Sequence, residues 1–187
     1  MQEKFYNKTG FTLIELMVVI AIIGILSTIL YASFDVAKSQ SRDKVRMASL
    51  KELQLAIELY KAQNGVYPTR GCEGITAVTD FVGPGPTPGG SAGGFASCAR
   101  YIIGLDPDFI PALPSDPRFE NEAGRGFYYR SNGTSYKLLL LNVAESIKVA
   151  GYDDDFARCP AFVSGTCPTP VSIETTYSVY SSGAQNW

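Results

Sequence analysis

A long apolar run dominates the first fifth of the chain. From Phe11 to Phe34 almost every position is aliphatic, small or aromatic, and Glu15 is the single carboxylate in it. These 24 residues make roughly 36 Å of helix, enough to cross a hydrocarbon core of roughly 30 Å. A lone carboxylate near the start of such a helix costs on the order of 3 kcal/mol unless it meets a partner. Beyond Phe34 the pattern turns polar through Ala37–Lys44 but stays helical. Met47, Leu50, Leu53, Ile57 and Tyr60 then recur at spacings of three and four, one stripe of an amphipathic helix. Leu55 and Leu59 fall on a different face. Asn64-Gly65 is a helix stop, and Pro68 blocks continuation. One helix over 11–63 is expected, apolar in its first half (11–34) and amphipathic in its second.

The rest of the chain, 64–187, is loop-rich and then strand-like. Residues 83–91 are dominated by glycine and proline and read as a turn-rich loop. A short helix is expected over 99–105. Pro107 to Pro117 reads as a crossing anchored by Phe109, Ile110 and Leu113. Phe127–Arg130 and Tyr136–Val143 flank an Asn132-Gly133 turn and predict a hairpin. Leu138–Leu141 is a continuous apolar run, the mark of a strand buried on both faces. Thr176–Ser181 alternates and predicts a third strand. The expected fold is α+β: a long helix whose stripe packs on a small antiparallel sheet.

Composition narrows the chemistry. The net charge of −2 and the scattered Lys and Arg argue against a nucleic-acid partner. Histidine is absent, which removes His-based triads and most zinc sites. The glycine-rich loop has no following lysine and no strand–loop–helix context, so it is not a phosphate-binding loop. Cys72, Cys98, Cys159 and Cys167 all lie beyond the apolar run and read as disulfides of an exported domain. Four cysteines allow three pairings; Cys72–Cys98 and Cys159–Cys167 are favoured because each closes a local loop. Asp153 and Asp155 are weak calcium candidates, and a solvated acidic turn is the competing reading. No other cofactor is expected.

The N-terminal segment adds a resemblance. Gly10-Phe11-Thr12-Leu13-Ile14-Glu15 and the run to Ile29 resemble the processing site of type IV prepilins and type II secretion pseudopilins. That resemblance implies a leader, 1–10, removed by a prepilin peptidase after Gly10, and N-methylation of Phe11. It implies that Glu15 meets the N-terminal ammonium of a neighbouring subunit during assembly. It also implies a single pass through a bacterial inner membrane at 11–34, an extracytoplasmic pilin-like head at 64–187, and a filament of self or related subunits built by an inner-membrane machinery. Tyr67-Pro68, Leu113–Pro117, Tyr128-Tyr129, Tyr136–Leu138 and Tyr180–Ala184 are similar in order to heads of the major pseudopilin class. The tail Gly183-Ala184-Gln185-Asn186 departs from that class in lacking an aspartate, and the cysteines are a second departure. The alternative is a membrane-anchored extracytoplasmic enzyme or ligand-binding protein that does not polymerise. Its candidate groups would be acidic (Asp106, Asp108, Asp116 and Asp153–Asp155), all in turn-like contexts where aspartate is common.

Overall fold

A computed structural model describes residues 10–71, 81–83, 95–98, 100–119, 122, 124–150, 154–159, 174–185 and 187, without the side chains of 29–33 and 95–97. The chain divides into two units, Met1–Lys38 and Ser39–Trp187.

Helix α1 (Leu13–Asn64) begins in the first unit and ends in the second. At its end Gly65 adopts φ 77° and donates its N–H to Lys61 O at 2.8 Å, the left-handed cap expected of Asn-Gly. Within the second unit the stripe behaves as its spacing demands. Leu50, Leu53 and Ile57 are fully buried, and Met47 and Tyr60 pack against the same core. Leu55 and Leu59 stay 62% and 47% exposed.

Five strands form the main sheet in the order β3-β2-β5-β6-β7: β2 (Phe81–Gly83), β3 (Phe95–Ser97), β5 (Gly126–Ser131), β6 (Tyr136–Leu141) and β7 (Tyr177–Tyr180). The expected hairpin is β5–β6, in register Gly126↔Leu141 to Ser131↔Tyr136. Asn132 Oδ1 closes its turn by accepting N–H bonds from Thr134 and Ser135 at 3.0 and 2.7 Å. The third expected strand is β7, antiparallel to β6.

Strand alternation divides the sheet between two cores. Val82, Phe127, Tyr129, Tyr136, Leu138, Leu140, Tyr177 and Val179 join the stripe of α1. Phe81, Tyr128, Leu139 and Leu141 form a second cluster with Trp187. Both sides of Leu138–Leu141 are therefore covered, as the unbroken apolar run predicts. Tyrosines can serve this core because their hydroxyls find carbonyls: Tyr129 donates to Pro68 O at 2.9 Å and Tyr101 to Pro114 O at 2.8 Å.

One expectation needs correction. Of the helix expected over 99–105, the described residues 100–105 are not helical. Ile102–Ile103 is strand β4, paired antiparallel with β1 (Thr69–Arg70) in a small second sheet, and Gly104 at φ 83° turns the chain away. Paired β-branched residues fit a pleated ladder better than one turn of helix. The α+β fold with a long helix on an antiparallel sheet is as expected: β5, β6 and β7 pair antiparallel, and the short β2 and β3, on either side of the Gly/Pro loop, add one parallel pair at its edge.

Candidate functional site

The segment from Gly10 to Thr28 is where processing and assembly are expected. Gly10 is exposed, and a Cβ added to it would meet nothing within 4 Å. Its backbone is not left-handed either, so neither packing nor conformation calls for glycine here. Phe11 is 91% exposed.

Glu15 has a partner that sequence reading missed. Its Oε2 accepts from Thr12 N at 2.8 Å and from Thr12 Oγ1 at 2.7 Å, while its own N–H donates to Thr12 Oγ1 at 3.4 Å. This is a capping box, and its signal, threonine followed three residues later by glutamate, was present in the sequence. From Leu13 onward the described apolar side chains of the first unit, Leu13 through Leu26, are exposed on every face. The two hydroxyls in the run are satisfied within the helix: Ser27 donates to Ile23 O and Thr28 to Ile25 O, each at 2.7 Å. Glu15 thus stands as the single charge on a continuous apolar surface. Among the described residues no helix is long and apolar enough to cross a membrane, the described side chains of the run ending at Thr28.

The second unit holds an ionic hub at Arg46, which is fully buried. Its guanidinium grips Asp116 with two bonds, Nε to Oδ2 at 2.7 Å and Nη2 to Oδ1 at 2.9 Å. Nη1 donates to Asp43 at 2.9 Å and to Glu145 at 2.7 Å. Arg42 holds Glu145 with bonds of 2.8 and 2.6 Å, and Arg118 pairs with Glu145 as well. Asp43 also accepts the backbone N–H groups of Glu145, Ser146 and Ile147, which pins the loop after β6 to the helix. Asp116 likewise accepts from Arg118 N and Phe119 N, both at 2.9 Å. Burial opposes the charge on Asp116, but Arg46 and the two N–H groups outweigh it and hold the carboxyl below its usual range. Bonds from Arg42, and after the opposing cost of burial those from Arg46 and Arg118, pull Glu145 down to about 2. Three cations face three carboxylates here, so the hub is neutral and its chemistry is structural. Asp116, an acidic candidate of the enzyme reading, has no free oxygen for a substrate. Sequence reading did not find the hub: its members come from three separate stretches, Arg42 to Arg46, Asp116 to Arg118, and Glu145.

The remaining candidates scatter. Cys98 and Cys159 are buried and disulfide-bonded; Cys72 and Cys167 lie outside the described residues. Asp153 also lies outside them. Asp155 is exposed, and between the two Asp154 accepts N–H bonds from Ala150 and Phe156 as a turn cap. Among the described residues no three acidic or sulfur side chains gather as a metal site.

Comparison with known proteins agrees with this picture. Residues 6–31 match the family described as the prokaryotic N-terminal methylation motif. The chain is 31% identical over 133 residues to the type II secretion system core protein G of Vibrio cholerae, covering 70% of this chain and 76% of that protein. The chain belongs to the type IV pilin-like, pseudopilin family. It is 28% identical to the core protein G of Aeromonas hydrophila over 81% of this pseudopilin and 92% of that protein. A shorter match, 41% identical over 61 residues, links it to the type IV wide pilus major component PilA4 of Thermus thermophilus, covering 33% of this chain and 47% of that one. No solved structure matches the pseudopilin. Gly10, Phe11 and Glu15 all lie within the matched methylation motif; the Arg46 hub lies outside it.

Proposed function

We propose that the chain is a structural subunit of a type IV pilus-like or type II secretion filament, made as a precursor and polymerised through the first half of α1. The observation that carries this reading is the continuous exposed apolar surface of that helix, with Glu15 as its one charge. In water such a surface would aggregate; it suits lipid first and neighbouring helices afterwards. The precursor is held in the bacterial inner membrane by 11–34, with its head on the extracytoplasmic side.

A prepilin peptidase cuts between Gly10 and Phe11 and N-methylates Phe11. Support comes from the methylation motif at 6–31 and from a glycine that neither packing nor backbone conformation requires. After the cut, the new ammonium at Phe11 is the natural partner of a neighbour's Glu15. Thr12 gives that carboxylate hydrogen bonds but no opposite charge, so an ammonium still stabilises it further in lipid. The inner-membrane assembly machinery extracts the subunit as this pairing forms. In the head, the disulfides Cys72–Cys98 and Cys159–Cys167 close local loops and suit an oxidising compartment.

Mass spectrometry of the protein extracted from membranes tests the processing step. The expected mature chain begins at Phe11 and carries one added methyl group there. An intact N-terminus, or a cut elsewhere, would refute the assignment of Gly10.

A further inference from the structure

The main sheet ends on one side at β7, and that edge is closed over only part of its length. Val179 belongs to the core shared with α1, so alternation turns the side chains of Ser178 and Tyr180 to the far face. The main-chain groups alternate as well. Ser181 N–H bonds to Tyr136 O at 3.1 Å, toward β6, whereas Ser178 N–H points outward and meets Phe156 O at 2.9 Å. Ser178 Oγ adds a bond to Ala157 O at 2.6 Å. Phe156 and Ala157 thus lie along the edge like the start of a further strand and stop there. Two residues on from Ser178, the N–H and C=O of Tyr180 point the same outward way. Among the described residues neither has a partner on that side.

A groove of about 340 Å³ opens at that position. Lys51 and Gln54 line it from α1, Asp155 and Tyr180 from the side of the sheet edge, and Val179 and Phe156 give it an apolar floor. Its two charges are unspent. Lys51 and Asp155 are both exposed, and among the described residues neither forms an ion pair. The Lys51 ammonium stands 5.3 Å from the centre of the Phe156 ring. An open main-chain donor and acceptor, an apolar floor and unlike charges at the rim are the parts from which strand addition is built: main-chain bonds hold the guest and side-chain pockets select it.

We propose that this edge binds a short extended segment of another polypeptide, which adds to the sheet beside Tyr180. The incoming residue opposite Tyr180 exchanges both main-chain hydrogen bonds with it, and its side chain lies on the far face. The residues before and after it turn into the groove, over Val179 and Phe156, where apolar β-branched side chains fit. Three places out on either side the guest again faces the groove. An acidic side chain there pairs with Lys51 and a basic one with Asp155. A folded second copy suits the site less: such an interface takes roughly 20–30 residues a side, and six line this groove. The site is separate from the helix surface assigned to assembly and from the Arg46 hub, and it does not depend on polymerisation.

The test titrates the purified full chain, in detergent, into two end-blocked fluorescent peptides, Glu-Thr-Val-Thr-Val-Thr-Lys and the reversed charge order Lys-Thr-Val-Thr-Val-Thr-Glu. Fluorescence anisotropy should rise saturably, and one order should bind several-fold tighter than the other. N-methylation of the central threonine removes the N–H that meets Tyr180 O and should weaken binding roughly tenfold. Hydrogen exchange of the segment 178–181, followed by mass spectrometry, should slow when the tighter peptide is added. Exchanging the rim charges, Lys51→Asp with Asp155→Lys, should reverse which order binds tighter, whereas Arg100→Gln, outside the groove, should match the parent. If the double variant fails to fold, Asp155→Asn alone should narrow the difference between the two orders. No saturable rise with either peptide, equal binding of the N-methylated peptide, or a charge preference that the rim substitutions leave untouched would overturn the proposal. Self-association of the chain that the peptide displaces would assign the edge to a second copy and overturn it as well.

Discussion

Glu15 takes on a second role once Thr12 is placed beside it. In the free chain it completes a capping box; in the proposed filament it faces an ammonium from another chain. The two roles compete for the same oxygens, so substitutions at the two positions separate them. Glu15→Leu should insert into membranes normally and fail to enter filaments, while Thr12→Ala should lose roughly 1 kcal/mol of local helix stability and still assemble. Sheared-filament immunoblots against membrane fractions read both, and normal incorporation of Glu15→Leu would remove the pairing role. At the hub the consequence is a pH dependence. Asp116 and Glu145 titrate lower in the folded state than in the unfolded one. The unfolded chain therefore takes up protons first as pH falls, so the stabilisation is complete above the ordinary carboxylate range. It is lost as pH drops toward about 2, where Glu145 protonates. Urea midpoints should fall steadily from about pH 5 to about pH 2 on this titration; a flat profile would show that the hub contributes nothing.

At the scale of elements, α1 has two kinds of apolar position in its second half. Leu53 is fully buried against the sheet, whereas Leu55, two residues on, is 62% exposed. Leu53→Ala should cost roughly 2–5 kcal/mol of unfolding free energy, and Leu55→Ala should stay within about 0.5 kcal/mol. Equilibrium denaturation of both variants checks this, and similar losses at the two sites would mean that the stripe is wider than the structure shows. The β5–β6 hairpin and the helix stop at Gly65 were legible because each is a local pattern with a local turn chemistry. Strands β2 and β3 were not. Three-residue strands carry almost no period of their own, and what makes Phe81–Gly83 a strand is Tyr129 beside Val82 and Ala96 on its other side. Gly83 shows the same dependence: a Cβ there would lie 2.5 Å from Phe127 O, a contact visible only once the sheet is assembled.

For the molecule as a whole, the two units rest on different physics. The described apolar side chains of the first unit are exposed and depend on surroundings outside the chain to cover them. Residues 39–187 bury their own core, tie it to the helix with the Arg46 hub, and hold Cys98 and Cys159 in disulfides. Peptide mapping without reductant is expected to recover Cys72–Cys98 and Cys159–Cys167 as separate linked pairs; a Cys72–Cys159 link would refute the local-loop pairing. Losing either bridge should cost roughly 2–5 kcal/mol, the usual range for a small exported domain.

The sequence by itself determined the parts whose physics is local or periodic. The apolar run, the stripe of Leu50, Leu53 and Ile57, the Asn132-Gly133 hairpin and the processing signature around Gly10 all follow from neighbours within a few residues. Only the tertiary structure decided the rest, because the interacting groups lie far apart in the chain. Arg46 meets Asp116 and Glu145 from 70 and 99 residues away, and no spacing rule reaches that far. Ile102–Ile103 became a strand only because Thr69–Arg70 lay alongside it. Arg158 is the sharpest case. Its sequence context resembles any surface arginine, and only folding buried it and left its Nε and Nη1 without an acceptor.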